Sequence, residues 1–321
     1  MRTPAHRTPV PRLLAALAAP AALALLVSAC DADADGAEPA SAADDEPLAV
    51  VATFSVLDDL ATAVGGEHVT VESIVPVGAD PHDYEPTPSD SMALADADLV
   101  LDNGLGLNPW FEPLASEVGG DLVIVTEDVA DQAVEAATKD EVDPHMWLSP
   151  RLTTSYVDAI EDALADLAPE HAEELAANAE ALRDELDALG EELREQVETI
   201  PAEDRQLVTH EDAFGYFAQD LGFEIVGSAV GPSTEADPSA AGVAGLIDLV
   251  EEEDVPAVFP QTTESPDVME RIAQDAGVRL GDPLHVDSVG ESGSDAEDHA
   301  GMLRANVAIL VEGLTGEEAQ P

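Results

Sequence analysis

The sequence predicts an α/β protein of two lobes, each a parallel sheet flanked by helices, with one long backbone helix between them. Short apolar segments alternate with helical segments from Leu48 onward, which is typical of parallel sheets covered by helices on both faces. Residues 151–200 are predicted to be helical apart from a break near Pro169. The alternation of strand and helix then resumes after Pro201, which indicates a second lobe.

The first predicted lobe is built from short β-prone segments separated by helical ones. Its predicted strands are Leu48–Phe54, Val71–Val75, Leu99–Asn103 and Leu122–Thr126. Its predicted helices are Val56–Val64 and Ser89–Ala97. A polar loop bounded by prolines is expected at Asp143–Pro150.

The long helix is predicted from one apolar stripe. The stripe consists of Leu175, Leu182, Leu186, Leu189, Leu193 and Val197. Successive members of the stripe are three, four or seven residues apart, which places them on one helical face. A coiled coil is an alternative, but the stripe is short, and a helix packed along a globular body fits it better.

The second predicted lobe repeats the alternation. Its predicted strands are Arg205–Thr209, Glu224–Ala229, Ala257–Pro260 and Val278–Leu280. Its predicted helices are Ala241–Glu252, Pro266–Ala276 and Ala296–Leu314. Ligands of open parallel sheets bind at the carboxyl ends of the strands, and here two sets of such ends could face each other.

The N-terminus has the features of an export signal followed by a lipid anchor. Three arginines and no acidic residue precede the short apolar run Leu13–Val27, which ends in small residues before Cys30. A transmembrane anchor is the alternative, but the run is short for one. We therefore predict a signal peptide at 1–29 and a diacylglyceryl group on Cys30, which places the protein outside the cytoplasm on the outer face of the membrane.

Three further boundaries follow from these patterns. Residues 30–47 are predicted to be a disordered tether, because no large apolar side chain occurs between Asp31 and Glu46. The N-terminal lobe is then expected at 48–168, the backbone helix at 169–200 and the C-terminal lobe at 201–321.

The charge of the chain limits its partners. Asp and Glu number 69 against 11 Lys and Arg, which gives a formal net charge of -58. Nucleic acid and anionic lipid are poor partners for such a surface, whereas a cationic solute is a favourable one. Most of the acidic residues are nevertheless expected to be a solvated surface layer. The single cysteine excludes an internal disulfide.

Three of the eight histidines lie where chemistry is expected. His82 and His145 each follow a proline, and His210 ends a predicted strand beside Glu211. Asp287 follows another apolar segment. Nitrogen and oxygen ligands without thiolate suit Zn²⁺, Mn²⁺ or Fe²⁺ rather than Cu⁺. By contrast, polar surroundings predict that His68, His171 and His299 are exposed surface residues.

Five segments resemble a known family, the metal-binding solute-binding lipoproteins of zinc and manganese ABC importers (cluster 9). They are PHDYEPTPSD at 81–90, ADADLVLDNGLGLNPW at 95–110, DPHMWLSP at 143–150, VTHEDAFGYFAQDLGF at 208–223 and VDS at 286–288. The resemblance covers about residues 48–315. It implies two lobes joined by a rigid backbone helix, with one metal ion held in the cleft. The ligands that it implies include His82, His145 and Asp287.

The third ligand departs from the zinc-type pattern of this family. A histidine directly precedes the Asp-Ala-Phe-Gly-Tyr-Phe run in zinc-type members, whereas Glu211 stands there in this sequence, with His210 one residue earlier. Gapless alignment selects Glu211, and a small shift of the loop would select His210. Residues 127–142 also lack the histidines that are frequent in zinc-type members. Both observations favour Mn²⁺ or Fe²⁺, although raw affinity favours Zn²⁺ over either.

The resemblance implies that the protein captures a divalent metal ion, Mn²⁺ or Zn²⁺ with Fe²⁺ as a further candidate, and delivers it to the permease of an ABC importer. It implies a monomer without enzymatic activity. The alternatives are a surface adhesin of the same fold and, less favoured, a metal-dependent hydrolase with Glu211 or His210 as its base. The sequence contains no HExxH or nucleophile-elbow motif.

Overall fold

The computed structural model describes residues 46–316 except 135, 137–141 and 235–237. The predicted signal peptide, Cys30 and nearly all of the predicted tether lie outside the described residues. Within the described part of the chain, no helix is both long and apolar enough to cross a membrane.

The first lobe contains four parallel strands in the order β2-β1-β3-β4. They are β1 Leu48–Ala52, β2 Val69–Ser73, β3 Leu99–Asp102 and β4 Asp121–Ile124. The central strand β1 places Val50 opposite Val71 of β2 and Leu99 of β3. All four predicted strands of this lobe are therefore confirmed, with ends that shift by one or two residues.

The second lobe has shorter strands that are also parallel. They are β5 Gln206–Thr209, β6 Glu224–Ser228, β7 Ala257–Val258 and β8 Arg279–Leu280. β5 pairs with β6, β7 pairs with β8, and a parallel bridge between Thr209 and Phe259 connects the two pairs. β7 ends two residues before the predicted Pro260, a residue that lacks the N–H needed to extend a ladder.

Eight α-helices cover the sheets in the described residues. They are α1 Ser55–Gly65, α2 Pro88–Asp96, α3 Pro150–Leu167, α4 Ala172–Val197, α5 Gly215–Leu221, α6 Ala240–Glu252, α7 Asp267–Ala276 and α8 His299–Thr315. The sequence predictions missed α5, which spans seven residues and is too short to show a clear helical period.

The long helix α4 lies against elements of both lobes. It contacts α1 and α3, which precede it in the chain, and α5 and α8, which follow it. Leu186, Leu189 and Leu193 of the predicted stripe are buried in the core. The stripe is thus covered by the chain's own helices, which accounts for it without a coiled-coil partner.

The predicted loop at Asp143–Pro150 is buried, and the prediction that His299 is exposed is wrong. The Asp143–Pro150 segment is buried along its whole length and contains a short 3₁₀ helix at Met146–Leu148. Trp147 donates its indole N–H to the carbonyl of Val286 at 2.8 Å. His299 was expected at the surface but is buried, with Nε2 2.7 Å from the carbonyl of Trp147. A polar segment can be buried when its polar atoms find such partners.

Candidate metal centre

Four of the predicted ligands meet between the two lobes. His82 lies in the loop after β2, and His145 lies directly before the Met146–Leu148 turn. Glu211 follows the carboxyl end of β5, and Asp287 lies beyond β8. Their ligand atoms are all within 4.8 Å of one another, and we call this group the cleft cluster.

The separations within the cleft cluster match a tetrahedral metal site. Nε2 of His82 lies 3.3 Å from Nε2 of His145 and 3.1 Å from Oε1 of Glu211. Nε2 of His145 lies 3.4 Å from both Oε1 of Glu211 and Oδ1 of Asp287. The His82 to Asp287 separation is 3.8 Å. Metal–ligand bonds of about 2.0–2.2 Å give tetrahedron edges of about 3.3–3.6 Å. These five separations lie in or close to that range, so the four atoms are placed to share one ion.

The four side chains are almost completely removed from solvent. Each is at most 2% exposed. Oε1 of Glu211 and Oδ1 of Asp287, the two oxygens that face the imidazoles, accept no hydrogen bond of good geometry from the described residues. Burying a carboxylate oxygen without a partner is costly, and a cation is the partner that removes this cost. The donor set therefore fits a divalent metal ion.

Each histidine is oriented by the segment that precedes it. Nδ1 of His145 lies 2.8 Å from Oδ1 of Asp143, which also accepts the backbone N–H of His145 at 2.9 Å. This contact fixes the ring so that Nε2 faces the cluster, as carboxylates commonly do for metal-binding histidines. In the other loop, Asp80 accepts the backbone N–H of His82 at 2.7 Å, and Trp110 donates to the carbonyl of Pro81 at 2.7 Å.

Gln261 holds the two carboxylates, and it was not among the residues predicted from the sequence. Its Nε2 donates to the outer oxygen Oε2 of Glu211 at 3.1 Å and to the outer oxygen Oδ2 of Asp287. The remaining oxygens Oε1 and Oδ1 then face the imidazoles. Gln261 directly follows the predicted strand Ala257–Pro260, so a polar residue at the carboxyl end of a strand was the signal that could have revealed it.

The structure separates Glu211 from its neighbour His210. Glu211 is part of the cleft cluster, whereas Nε2 of His210 points to Oε2 of Glu264, at 3.9 Å. Burial lowers the pKa of His210, which favours its neutral ring. The backbone carbonyl of His210 accepts the N–H of Val230 at 2.9 Å, so the register of this loop is held by the chain next to β6.

The imidazoles and carboxylates of the cleft cluster shift one another's pKa values. Burial is the largest single effect and would lower the pKa of His82 and His145, but Glu211 and Asp287, joined by Asp143 at His145, together outweigh it and raise both pKa values. The same two rings overcome the effect of burial on Glu211 and lower the pKa of its carboxyl group. Burial, together with the charge of Glu211, raises the pKa of Asp287 to about 6. Without a metal ion, protons on the imidazoles therefore balance the carboxylate charge.

The two-lobed fold and the cleft cluster define a metal-binding solute-binding protein. The chain belongs to the ZnuA family, described as zinc-uptake complex component A, periplasmic, whose profile matches residues 50–313. This match confirms the family that the sequence motifs indicated.

Several characterised proteins are similar over nearly the whole chain. The manganese-binding lipoprotein MntA of Halalkalibacterium halodurans is 37% identical over 294 residues, which cover 91% of this chain and 96% of that protein. The iron-binding protein YfeA of Yersinia pestis is 32% identical, with coverages of 82% and 85%. The structure of the periplasmic zinc-binding protein TroA from Treponema pallidum superposes with a TM-score of 0.80 at 29% identity, and covers 84% of this chain and 99% of its own.

Proposed function

We propose that the protein captures one divalent transition-metal ion with His82, His145, Glu211 and Asp287 and delivers it to the permease of an ABC importer. The observation that carries the proposal is the cleft cluster itself, with two imidazole nitrogens and two unpartnered carboxylate oxygens buried at the separations of a tetrahedral site. The relatives named for manganese, iron and zinc binding support the same chemistry.

Mn²⁺ is the cargo that we propose, ahead of Fe²⁺ and Zn²⁺. Two carboxylates in place of one make the site richer in oxygen, and oxygen ligands suit Mn²⁺ better than they suit Zn²⁺. The relative with 37% identity is named for manganese, which supports this choice. Tighter binding of Zn²⁺ in a direct titration is compatible with the proposal, because delivery also depends on metal availability.

The remaining parts of the proposal concern anchoring and organisation. We infer a lipid on Cys30, a tether at 30–47, lobes at 48–168 and 201–321 with the backbone helix at 169–200, and a monomeric protein without catalytic turnover. Mass spectrometry of the mature N-terminus is expected to find a diacylglyceryl adduct on Cys30. A mature chain that begins elsewhere without this adduct would contradict the anchor.

The test of the proposed function combines binding with transport. Purified protein without a His tag is expected to bind one Mn²⁺ at the cleft. His145→Ala is expected to weaken this binding about 100-fold or more, since it removes a direct ligand and loss of a group that only orients a ligand already costs about 10–100-fold. Cells that lack the protein should regain Mn²⁺ uptake with the unmodified chain and not with His145→Ala. His210→Ala is the matched control, because that histidine lies outside the cleft cluster.

The same experiment separates the two alternative functions. An adhesin would leave Mn²⁺ uptake unchanged when the protein is deleted. A metal-dependent hydrolase needs an open coordination position for its substrate, whereas the proposed site offers four protein ligands to one ion. We therefore expect reversible metal binding without turnover.

A further inference from the structure

A second group of metal-ligating side chains lies outside the cleft. His68, His171 and Glu174 place their ligand atoms within 4.8 Å of one another, and we call this group the outer cluster. The imidazoles of His68 and His171 are stacked, with ring centroids 3.9 Å apart and an interplanar angle of 16°. Nε2 of His68 lies 2.7 Å from Oε2 of Glu174.

The outer cluster is separate from the cleft cluster. His68 directly precedes β2, while His82 lies in the loop that follows the same strand. A strand of this length spans about 16 Å, so the two clusters lie at opposite edges of the first sheet. His171 and Glu174 belong to the start of α4, which is also remote in sequence from every residue of the cleft cluster.

The packing of α4 against α1 brings the three residues of the outer cluster together. α1 packs against α4, and Asn178 of α4 donates a hydrogen bond to the carbonyl of Val64 in α1 at 3.0 Å. This contact fixes the start of α4 beside the turn between α1 and β2. His68 is half-buried there, with a side chain 14% exposed, whereas Glu174 is 69% exposed. An ion bound by both nitrogens must lie near the plane of each ring, so the partly exposed His171 ring has to rotate out of the stack, and the exposed Glu174 carboxylate can adjust its position with it.

We propose that the outer cluster is a second metal site, which binds a borderline ion such as Zn²⁺ or Ni²⁺ through two imidazole nitrogens and one carboxylate oxygen. Two histidines and one carboxylate form a recurrent ligand set for divalent transition metals, with the open positions filled by water. Three ligands at a partly exposed position bind more weakly than the four buried ligands of the cleft cluster, and the ion exchanges with solvent. Once bound, the ion connects the start of α4 to the turn before β2.

With the outer site, the protein should bind two Zn²⁺ ions, whereas the cleft cluster alone would bind one. We expect two Zn²⁺ ions per purified protein in equilibrium dialysis, with excess Mg²⁺ present to occupy the acidic surface. His68→Ala should leave one ion, the combined His82→Ala and His145→Ala variant should also leave one, and the variant with all three substitutions should leave none. If the unmodified protein binds a single ion, or if His68→Ala still binds two, the outer site is refuted. If instead the combined His82→Ala and His145→Ala variant binds two and His68→Ala binds one, the proposed cleft site fails while the outer site stands.

A second pair of variants avoids any effect on folding. Glu174→Gln and Glu173→Gln remove the same charge from neighbouring exposed positions in the first turn of α4. We expect Glu174→Gln to weaken binding of the second Zn²⁺ ion at least about tenfold, because the amide keeps only a neutral oxygen in place of a direct carboxylate ligand, and Glu173→Gln to leave it unchanged. Equal effects of the two substitutions would show that only the general negative charge attracts the ion, and would overturn the proposal.

Discussion

The first lobe supplies both imidazoles of the cleft cluster, and the second lobe supplies both carboxylates. The first-lobe pair lies in proline-containing loops, and Asp143 orients one of its rings. The second-lobe pair consists of two acids that a single amide, Gln261, holds beside each other. The lobe with the nitrogens can be neutral on its own, whereas the lobe with the oxygens carries like charges that repel. The carboxylate half therefore needs the imidazole half, or a metal ion, to be stable when buried.

The largest expected effect tests the carboxylate half. Glu211→Ala is expected to weaken Mn²⁺ binding about 100-fold or more, because it removes one of four ligands. His210→Ala should change the affinity little, because its ring lies toward Glu264. Glu211→His should shift the preference toward Zn²⁺, since it replaces an oxygen ligand by a nitrogen. Competition titrations with Mn²⁺ and Zn²⁺ measure all three variants.

The opposite pattern would reverse the comparison between the lobes. If His210→Ala abolished binding and Glu211→Ala were harmless, the site would have three imidazoles and one carboxylate. The second lobe would then contribute one nitrogen and one oxygen, and the site would be of the zinc type.

The next effect concerns Gln261, which supports both carboxylates. Its hydrogen bonds to their outer oxygens favour binding of each carboxylate through one oxygen only. Gln261→Ala removes these bonds, so we expect Zn²⁺ affinity to fall about 10–100-fold, as for other groups that orient ligands. Mn²⁺ affinity should fall less, because the released carboxylates can bind through both oxygens and Mn²⁺ accepts more than four ligands.

The control for Gln261 is Thr263→Val, which removes a hydroxyl that accepts from the same amide at 3.1 Å and does not reach the carboxylates. We expect this variant to keep the relative preference for the two metals. If Gln261→Ala lowered both affinities equally, the amide would position the carboxylates without limiting their coordination.

A smaller effect is expected from pH, and it tests the imidazole half. The raised pKa values of His82 and His145 mean that both rings hold protons in the metal-free protein at and below the usual pKa of about 6.5. These protons must leave before Nε2 can bind a metal, so affinity should increase as the pH rises through and above that value. Binding in a weakly buffered solution should release protons. An affinity that is flat between about pH 6 and pH 8 would contradict this charge balance.

The residues of the cleft cluster could be singled out in the sequence because they follow apolar strands or prolines, but only the family resemblance joined them into one ligand set. His82, His145, Glu211 and Asp287 all have such neighbours, and parallel topology brings the ends of strands to one edge. Gln261 was harder to find, because its role depends on the position of the Asp287 loop, 26 residues further along the chain. The residues next to Gln261 in the sequence do not indicate how close the Asp287 loop lies in the folded protein.

The errors about histidine exposure have the same origin. His299 has polar neighbours in the sequence, yet it is buried because the carbonyl of Trp147, 152 residues away, is its partner. His68 and His171 each looked like a solitary surface residue. Their stacking depends on how α4 packs against α1, which is a tertiary contact that neither local sequence predicts.

The smallest expected effect concerns the acidic surface that both lobes share. Basic residues are few, and the described ion pairs, such as Arg271 with Asp275 and Arg304 with Glu192, are partly or mostly exposed and contribute little. Self-repulsion at a formal charge of -58 should therefore outweigh them.

Raising NaCl from about 0.1 to 1 M shortens the screening length from about 10 to 3 Å. We expect the melting temperature of the metal-free protein to rise by about 2–4 °C, equivalent to about 1 kcal/mol for a protein of this size. Chloride salts are the appropriate choice, because sulfate stabilises proteins by exclusion from their surface. A melting temperature that stays constant or falls with NaCl would show that the acids do not destabilise the fold, and that local pairing in both lobes already compensates their charge.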